Sequence, residues 1–204
     1  PFDSGYAVFN GLRRIIQFIE NFHFTETDLT YLKSIGYQDD FLDYLKDLRF
    51  TGNIRAMEEG EVCFNNEPLV RVEAPLIQAQ LIETILLNIV NFHTLIATKA
   101  SRIKQVAPND LLMEFGTRRA QEEDAALWGA RAAIIGGFDS TSNVRAGKLF
   151  GIPVSGTHAH AFVQTYGDEY VAFKKYAERH KDCVFLVDTF HTLKSGVPTA
   201  IKVA

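Results

Sequence analysis

Apolar residues recur with a helical period over the first fifty positions. Leu12, Ile15, Ile16 and Ile19 are spaced for one face of a helix over 11–22, with charged residues between them. Thr25 followed by Asp28 marks a helix start and predicts a short helix over 26–33. A third helix fits 37–48, where Phe41, Leu42, Tyr44, Leu45 and Leu48 make the apolar face, and Gly52 breaks the pattern. The period then changes. Segments 53–58 and 61–64 flank the polar Glu59 and Gly60, and 69–73 alternates Val70 and Val72 with Arg71 and Glu73 after a turn signal at 65–68. Pro75 suits the first turn of a helix running to about Asn88, and a further helix spans 91–106, ending before Pro108.

From 109 onward short apolar runs alternate with helical ones. A strand at 111–115 leads into a long Ala-rich helix over 118–135, which Thr117 can cap and whose early acids suit the helix dipole. A strand at 136–140 precedes a brief helix near 143–149. Then come 152–155, a helix around 159–179 and the strongly apolar strand 183–188. This alternation argues for parallel strands with helical crossovers, in an α/β barrel or an open sheet. Polar residues follow each strand, at 116–119, 139–140, 156–160 and 188–189, where such folds build their binding face. Four strands are half a barrel.

Composition narrows the class. With 204 residues, 47% of them hydrophobic and 23% charged, the chain is ordinary globular material, enough for one substantial domain or two small ones. Its net charge of −4 argues against a nucleic-acid partner. Two cysteines, Cys63 and Cys183, make neither a disulfide framework nor a Cys-rich zinc site. The apolar run 81–90 is interrupted by Glu83 and Asn88 and is too short to span a bilayer, and no leader pattern opens the chain. A cytoplasmic protein without membrane partners is expected. The start at Pro1, without Met, and the stop inside an apparent new element at 195–204 lead us to expect part of a longer polypeptide.

The strand ends hold the candidate chemistry. His158 and His160 follow 152–155 directly, where a histidine can be base, acid, metal ligand or phosphoryl acceptor, or a loop histidine bonded to backbone. Gly156 and Thr157 offer N–H groups and a hydroxyl for an anion at a helix start. Arg118 and Arg119 sit at a strand-to-helix junction. One can clamp a carboxylate or phosphate with its guanidinium fork, and the alternative is a surface pair with Glu122 or Glu123. Asp139 could orient a ring nitrogen, a ribose hydroxyl or Arg118, or cap the next helix, and Asp188 could meet a hydroxyl, a metal or a histidine. His191 and Lys194 extend that last loop, while His23 and His93 read as packing or surface groups. Neither GxGxxG nor GxxxxGK[ST] occurs, so any nucleotide chemistry uses another phosphate site.

The segments EFGTRRAQ (114–121), GGFDSTSNVRAGKLFGIPVSGTHAHAF (136–162) and FLVDTFHTLKSGVPTAIKVA (185–204) resemble nicotinate phosphoribosyltransferases. So do the opening PFDSGYAVFNGLRRIIQFIENFHF (1–24) and the central 67–103. The resemblance covers nearly the whole chain, and it rests on several motifs in order. It implies part of an N-terminal α/β domain over 1–108, then about half of a TIM-like (β/α) barrel of the type II phosphoribosyltransferase kind over 109–204. It implies formation of nicotinate mononucleotide and pyrophosphate from nicotinate and phosphoribosyl pyrophosphate, coupled to ATP hydrolysis with Mg²⁺, in NAD biosynthesis. The histidine of the GTxAH motif, transiently phosphorylated in the family, falls on His160, and Thr157 lies in the same motif. Arg118 and Asp139 take the substrate-pocket positions, with Arg119, Ser155 and Asp188 as further candidates. His158 occupies the motif's variable position, and no protein metal site is expected. The family is about twice as long, its first substrate-facing tyrosine lies upstream of Pro1, and a homodimer is implied for the complete enzyme. An inactive isolated chain is therefore expected.

Rival readings are a nicotinamide or quinolinate phosphoribosyltransferase, a barrel metallohydrolase using His158, His160, Asp139 and Asp188, and a binding protein that keeps the fold without the chemistry.

Overall fold

A computed structural model describes residues 5–204, so the opening four residues of the first resembling segment lie outside the described residues. The described residues fall into two compact units that divide between Pro153 and Val154.

In the first unit, strand β1 (Ala7–Val8) precedes helices α1 (Leu12–Glu20), α2 (Glu26–Ser34) and α3 (Asp39–Asp47). Thr25 caps α2 as its sequence suggests: its hydroxyl accepts from the Asp28 N–H, and the Asp28 carboxylate accepts from the Thr25 N–H. Strands β2 (Asn53–Ala56), β3 (Val62–Cys63) and β4 (Val70–Glu73) follow. They do not form a meander. β3 pairs with β1, and β2 pairs with β4 with Asn53 opposite Glu73, both antiparallel.

Helix α4 (Leu76–Val106) is one rod of 31 residues, where periodicity suggests two helices meeting near Asn88. No glycine or proline interrupts 76–106, so nothing ends the backbone ladder, and the bland stretch around Asn88 turns only the helix's outer face. The run 81–90, too short by itself to span a bilayer, thus belongs to a helix long and apolar enough to do so. That helix instead serves as the unit's axis. Ile82, Leu86 and Ile89 pack on Ile15 of α1, while the Thr98 hydroxyl accepts the Val8 N–H of β1 and the Thr94 hydroxyl accepts from the Asn10 N–H and donates to the Asn10 carbonyl just beyond it.

Strand β5 (Met113–Glu114) leads not into a helix but into a tight 3-10 turn, Thr117–Arg119. Thr117 therefore caps nothing. Helix α5 (Glu123–Ile135) begins later, capped by the Glu122 side chain, which accepts from the Asp124 N–H. Its alanines serve close packing: Ala97 and Ala100 of α4 lie so near Gly136 that a Cβ there would collide with the Ala97 carbonyl. Strand β6 (Ser140–Thr141) runs parallel to β5, Met113 opposite Ser140, and it starts four residues later and ends one residue later than the 136–140 pattern suggests, so Asp139 precedes the strand instead of following it. The Thr141 N–H donates to the Pro153 carbonyl, joining β6 to the next segment. Helix α6 (Val144–Phe150) starts at Asn143, whose side chain accepts from the Ala146 N–H.

The second unit holds α7 (His160–Tyr166), α8 (Glu169–Ala177), a π-helical turn Thr192–Gly196 and α9 (Val197–Val203). Gly167, at φ 68°, splits what reads as one helix over 159–179, and Asp168 caps the second half. Segment 183–188 forms no strand. A strand exists only where a neighbour completes its ladder, and here the Leu186 N–H donates to the His158 ring instead. Of the four strand-and-helix units, the ladder is regular only at β5 and β6 among the described residues.

Candidate functional site

The two units each present part of the predicted chemistry. In the first, the turn at the carboxyl end of β5 carries Arg118 and Arg119 on exposed positions. The expected surface pairs with Glu122 and Glu123 do not form, because the 3-10 turn ends before α5 begins; Glu123 pairs with Arg145 instead. Among the described residues neither arginine has an ion-pair partner, so both guanidinium groups face solvent with their forks open.

Asp139 lies just before β6. One of its carboxylate oxygens accepts the Leu112 N–H at 2.8 Å and meets Lys104 at 3.3 Å. The backbone hydrogen bond first, and the lysine second, hold this carboxyl below its usual range. Asp139 does not cap α6, which Asn143 does, and its contacts tie α4 to the β5–β6 strand ends.

Glu114 is the residue that pattern reading missed. Its carboxylate accepts from the Gly116 N–H and from the Thr141 hydroxyl at 2.6 Å, so it bridges the ends of both parallel strands. A carboxylate placed two residues before a glycine, at a strand's carboxyl end, was the available signal.

In the second unit the GTHAH segment splits its histidines. His158 is 7% exposed and sits among Phe162, Phe173, Tyr176 and Phe185. Its Nε2 accepts the Leu186 N–H at 3.1 Å, and burial pushes its pKa down. A neutral, backbone-bonded core histidine results.

His160 opens α7 on the surface. Its Nδ1 lies 3.2 Å from the Thr189 hydroxyl, and its Nε2 lies 3.7 Å from an Asp188 carboxylate oxygen. Each ring nitrogen thus faces an oxygen, so one nitrogen can hold a proton in place while the other reacts. The structure brings together His160, Asp188 and Thr189, the last of which the sequence places only among the polar residues at 188–189, with no role. Thr157 is half-buried, its hydroxyl donating to the His158 carbonyl, and Ser155 is half-buried nearby in sequence. His191 accepts the Lys194 N–H and caps its own turn, a structural role.

The metallohydrolase arrangement does not assemble. His158 and His160 face opposite environments, and among the described residues no group of three His, Cys, Asp or Glu is placed to hold a metal ion. Asp188, 57% exposed, is the hard oxygen donor beside His160; such a donor suits Mg²⁺ that arrives chelated by substrate phosphates, not one held in a protein cage.

Comparisons with known proteins place both units in one family, with a boundary between matches that lies before the division at Pro153. Residues 1–91 match the family described as nicotinate phosphoribosyltransferase (NAPRTase) N-terminal domain, and 111–194 match the nicotinate phosphoribosyltransferase (NAPRTase) family. The whole chain is 68% identical to nicotinate phosphoribosyltransferase of Bacillus subtilis (strain 168), of which it covers 42%. It is 42% identical to nicotinate phosphoribosyltransferase pncB2 of Mycobacterium tuberculosis, covering 44%. The crystal structure of human nicotinic acid phosphoribosyltransferase superposes on all of this chain with a TM-score of 0.87 at 31% identity, and 51% of the human chain is covered. A nicotinate-nucleotide pyrophosphorylase from Pyrococcus furiosus matches 93% of this chain at a TM-score of 0.74 and 27% identity, with 42% of that chain covered. The chain thus spans less than half the length of these two curated relatives.

Proposed function

Because the chain belongs to the nicotinate phosphoribosyltransferase family, we propose that the protein it comes from makes nicotinate mononucleotide and pyrophosphate from nicotinate and phosphoribosyl pyrophosphate, with ATP hydrolysis coupled. The observation that carries the reading is His160, exposed in the GTHAH segment, with Thr189 and Asp188 on its two ring nitrogens. An exposed imidazole with one nitrogen oriented is the arrangement a phosphoryl acceptor needs. In the coupled step the free ring nitrogen bonds the γ-phosphorus of ATP, and the bond to the bridging oxygen breaks toward ADP. The added charge then reorganises donors around the bound phosphates.

Nicotinate brings a carboxylate, and the unpaired fork of Arg118 matches it in shape and charge, with Arg119 next to it. Thr157 and Ser155 supply hydroxyls on the second unit. Asp139 is then a positioning group, engaged with Lys104 and the Leu112 N–H. Mg²⁺, when bound, would supply charge neutralisation for the departing pyrophosphate, and Asp188, the exposed carboxylate beside His160, is the residue that would hold it. A cytoplasmic enzyme, homodimeric when complete, without nucleic-acid or membrane partners, completes the proposal; the free thiols Cys63 and Cys183 fit a reducing compartment.

The test is phosphohistidine in the full-length enzyme after incubation with MgATP. We expect it on His160, lost in His160→Ala together with ATP stimulation of nucleotide synthesis. An unlabelled enzyme with undiminished His160→Ala activity would sink the reading. Competition among nicotinate, nicotinamide and quinolinate decides the substrate: a preference for either of the last two overturns nicotinate.

A further inference from the structure

The exposed arginine turn is tethered to β6 through a single carboxylate. Glu114 closes β5 and points both oxygens at donors: the Gly116 N–H on the turn, and the Thr141 hydroxyl on β6. A Cβ at Gly116 would come within 2.6 Å of the Glu114 oxygen, so a side chain there would have to displace the carboxylate from this position. The turn itself closes on the same residue, the Arg119 N–H donating to the Gly116 carbonyl at 2.9 Å. On the far side Thr141 is fully buried, and its hydroxyl oxygen also accepts the Asn143 N–H at 3.0 Å, leading into the α6 cap. The Glu114 main chain joins in, its carbonyl accepting from Ser142 at 2.9 Å.

Both facing groups are donors, and a carboxylate accepts twice without offering a proton. A glutamine of the same shape would turn its NH₂ toward one of them and leave that donor unpaired. The charge is therefore matched to the geometry. Among the described residues it has no ion-pair partner, which sets it apart from Asp139 and Glu59.

We propose that Glu114 is a positioning residue for the reaction: it fixes the 116–119 turn against the end of β6, and so sets where Arg118 meets the substrate carboxylate. This rests on the reading that Arg118 takes nicotinate. A misplacement of about 1 Å in such a clamp can cost on the order of a hundredfold in rate, and losing one of two tethers should cost less.

The experiment uses the full-length enzyme and its Glu114→Gln and Thr141→Val variants. We expect KM for nicotinate to rise roughly tenfold in both, with KM for phosphoribosyl pyrophosphate and His160 phosphorylation by MgATP unchanged. Amide exchange at Gly116 and Arg119 should quicken in step. An unchanged nicotinate KM, or equal rises for both substrates tracking a fall in Tm, would overturn the proposal. If Glu114→Gln fails to fold by circular dichroism, Thr141→Val decides; failure of both assigns the carboxylate to stability and also overturns it. A wild-type enzyme inert toward nicotinate instead refutes the substrate reading, and amide exchange alone then judges the tether: faster exchange supports it and unchanged exchange overturns it.

Discussion

Two buried polar residues make the sharpest residue-scale predictions. His93 is 3% exposed on α4, wedged between Phe92 and Trp128, and its Nδ1 has no hydrogen-bond partner among the described residues. Burial pushes its pKa down from 6.5 to about 4; Glu59 pulls it up, while Arg131 and Arg14 add to the depression. The unfolded chain therefore binds a proton at higher pH than the folded one. Stability from this group is complete above pH 6.5 and is lost as pH falls toward 4. The loss should be on the order of 3 kcal/mol at pH 4 relative to pH 7.5. Urea unfolding across that range should follow this slope, and His93→Phe should flatten it. An unchanged slope in the variant would assign the acid sensitivity elsewhere. Glu59 supplies the second case. It pairs with Arg131 at 2.6 Å, both side chains about one-eighth exposed, and it also accepts the Gly11 and Arg13 N–H groups at the start of α1. Burial pushes the Glu59 pKa up, but the arginine and those amides outweigh it and the net shift is downward. Glu59→Gln strands a buried guanidinium, and we expect about 3 kcal/mol of lost stability by urea denaturation. A loss under about 1 kcal/mol would mean that water already screens the pair.

At the scale of elements, α4 and α5 show how small residues govern what periodicity only half reveals. Gly136 ends α5 against the Ala97 carbonyl and Ala100, so Gly136→Ala must push two packed helices apart. We expect a cost of about 2 kcal/mol, or a Tm lower by roughly 5 °C. Gly156→Ala, with open space at its Cβ position, serves as the near-neutral control. Equal losses at both sites would show that backbone freedom, not contact, is what matters. The same elements mark what the sequence made legible. Helices α1, α2, α3 and α6 declare their apolar faces and, for α2 at Thr25, their cap, because these signals are local. The continuity of α4 was hidden, since its interior contacts several elements and no single period survives over 31 residues. The split of 118–135 was hidden because Thr117 looks like a cap while Glu122, at φ 85°, does the capping from a backbone shape that no side-chain pattern announces. Strand 183–188 failed for the opposite reason: apolar sequence is local, but a ladder is a property of its neighbour. For the site, motif position found His160 and Arg118, whereas Glu114 and the partnership of Thr189 with His160 became visible only through distances.

For the whole molecule, the decisive quantity is how much of a parallel sheet these residues can close. The one regular parallel ladder joins two residues of β5 to two of β6, and 183–188 finds no strand partner among the described residues. Large apolar side chains stay outside, among them Leu111 at 83% exposed and Leu193 at 78%. Relatives of this family are more than twice as long, so in them further chain is available to cover such positions. A 204-residue polypeptide made alone keeps the helical core around α4, which buries its own apolar faces, but presents unpaired strand edges beside exposed leucines. Such edges pair between molecules. We therefore expect the isolated chain to show native-like helix by circular dichroism, to elute as dimers or larger species at tens of micromolar, and to form no nicotinate mononucleotide above blank. Dilution should not restore activity, because the proposed reaction needs a catalytic domain closed by further chain. A monomeric isolated chain that turns over nicotinate would overturn this and place the entire catalytic requirement within these 204 residues.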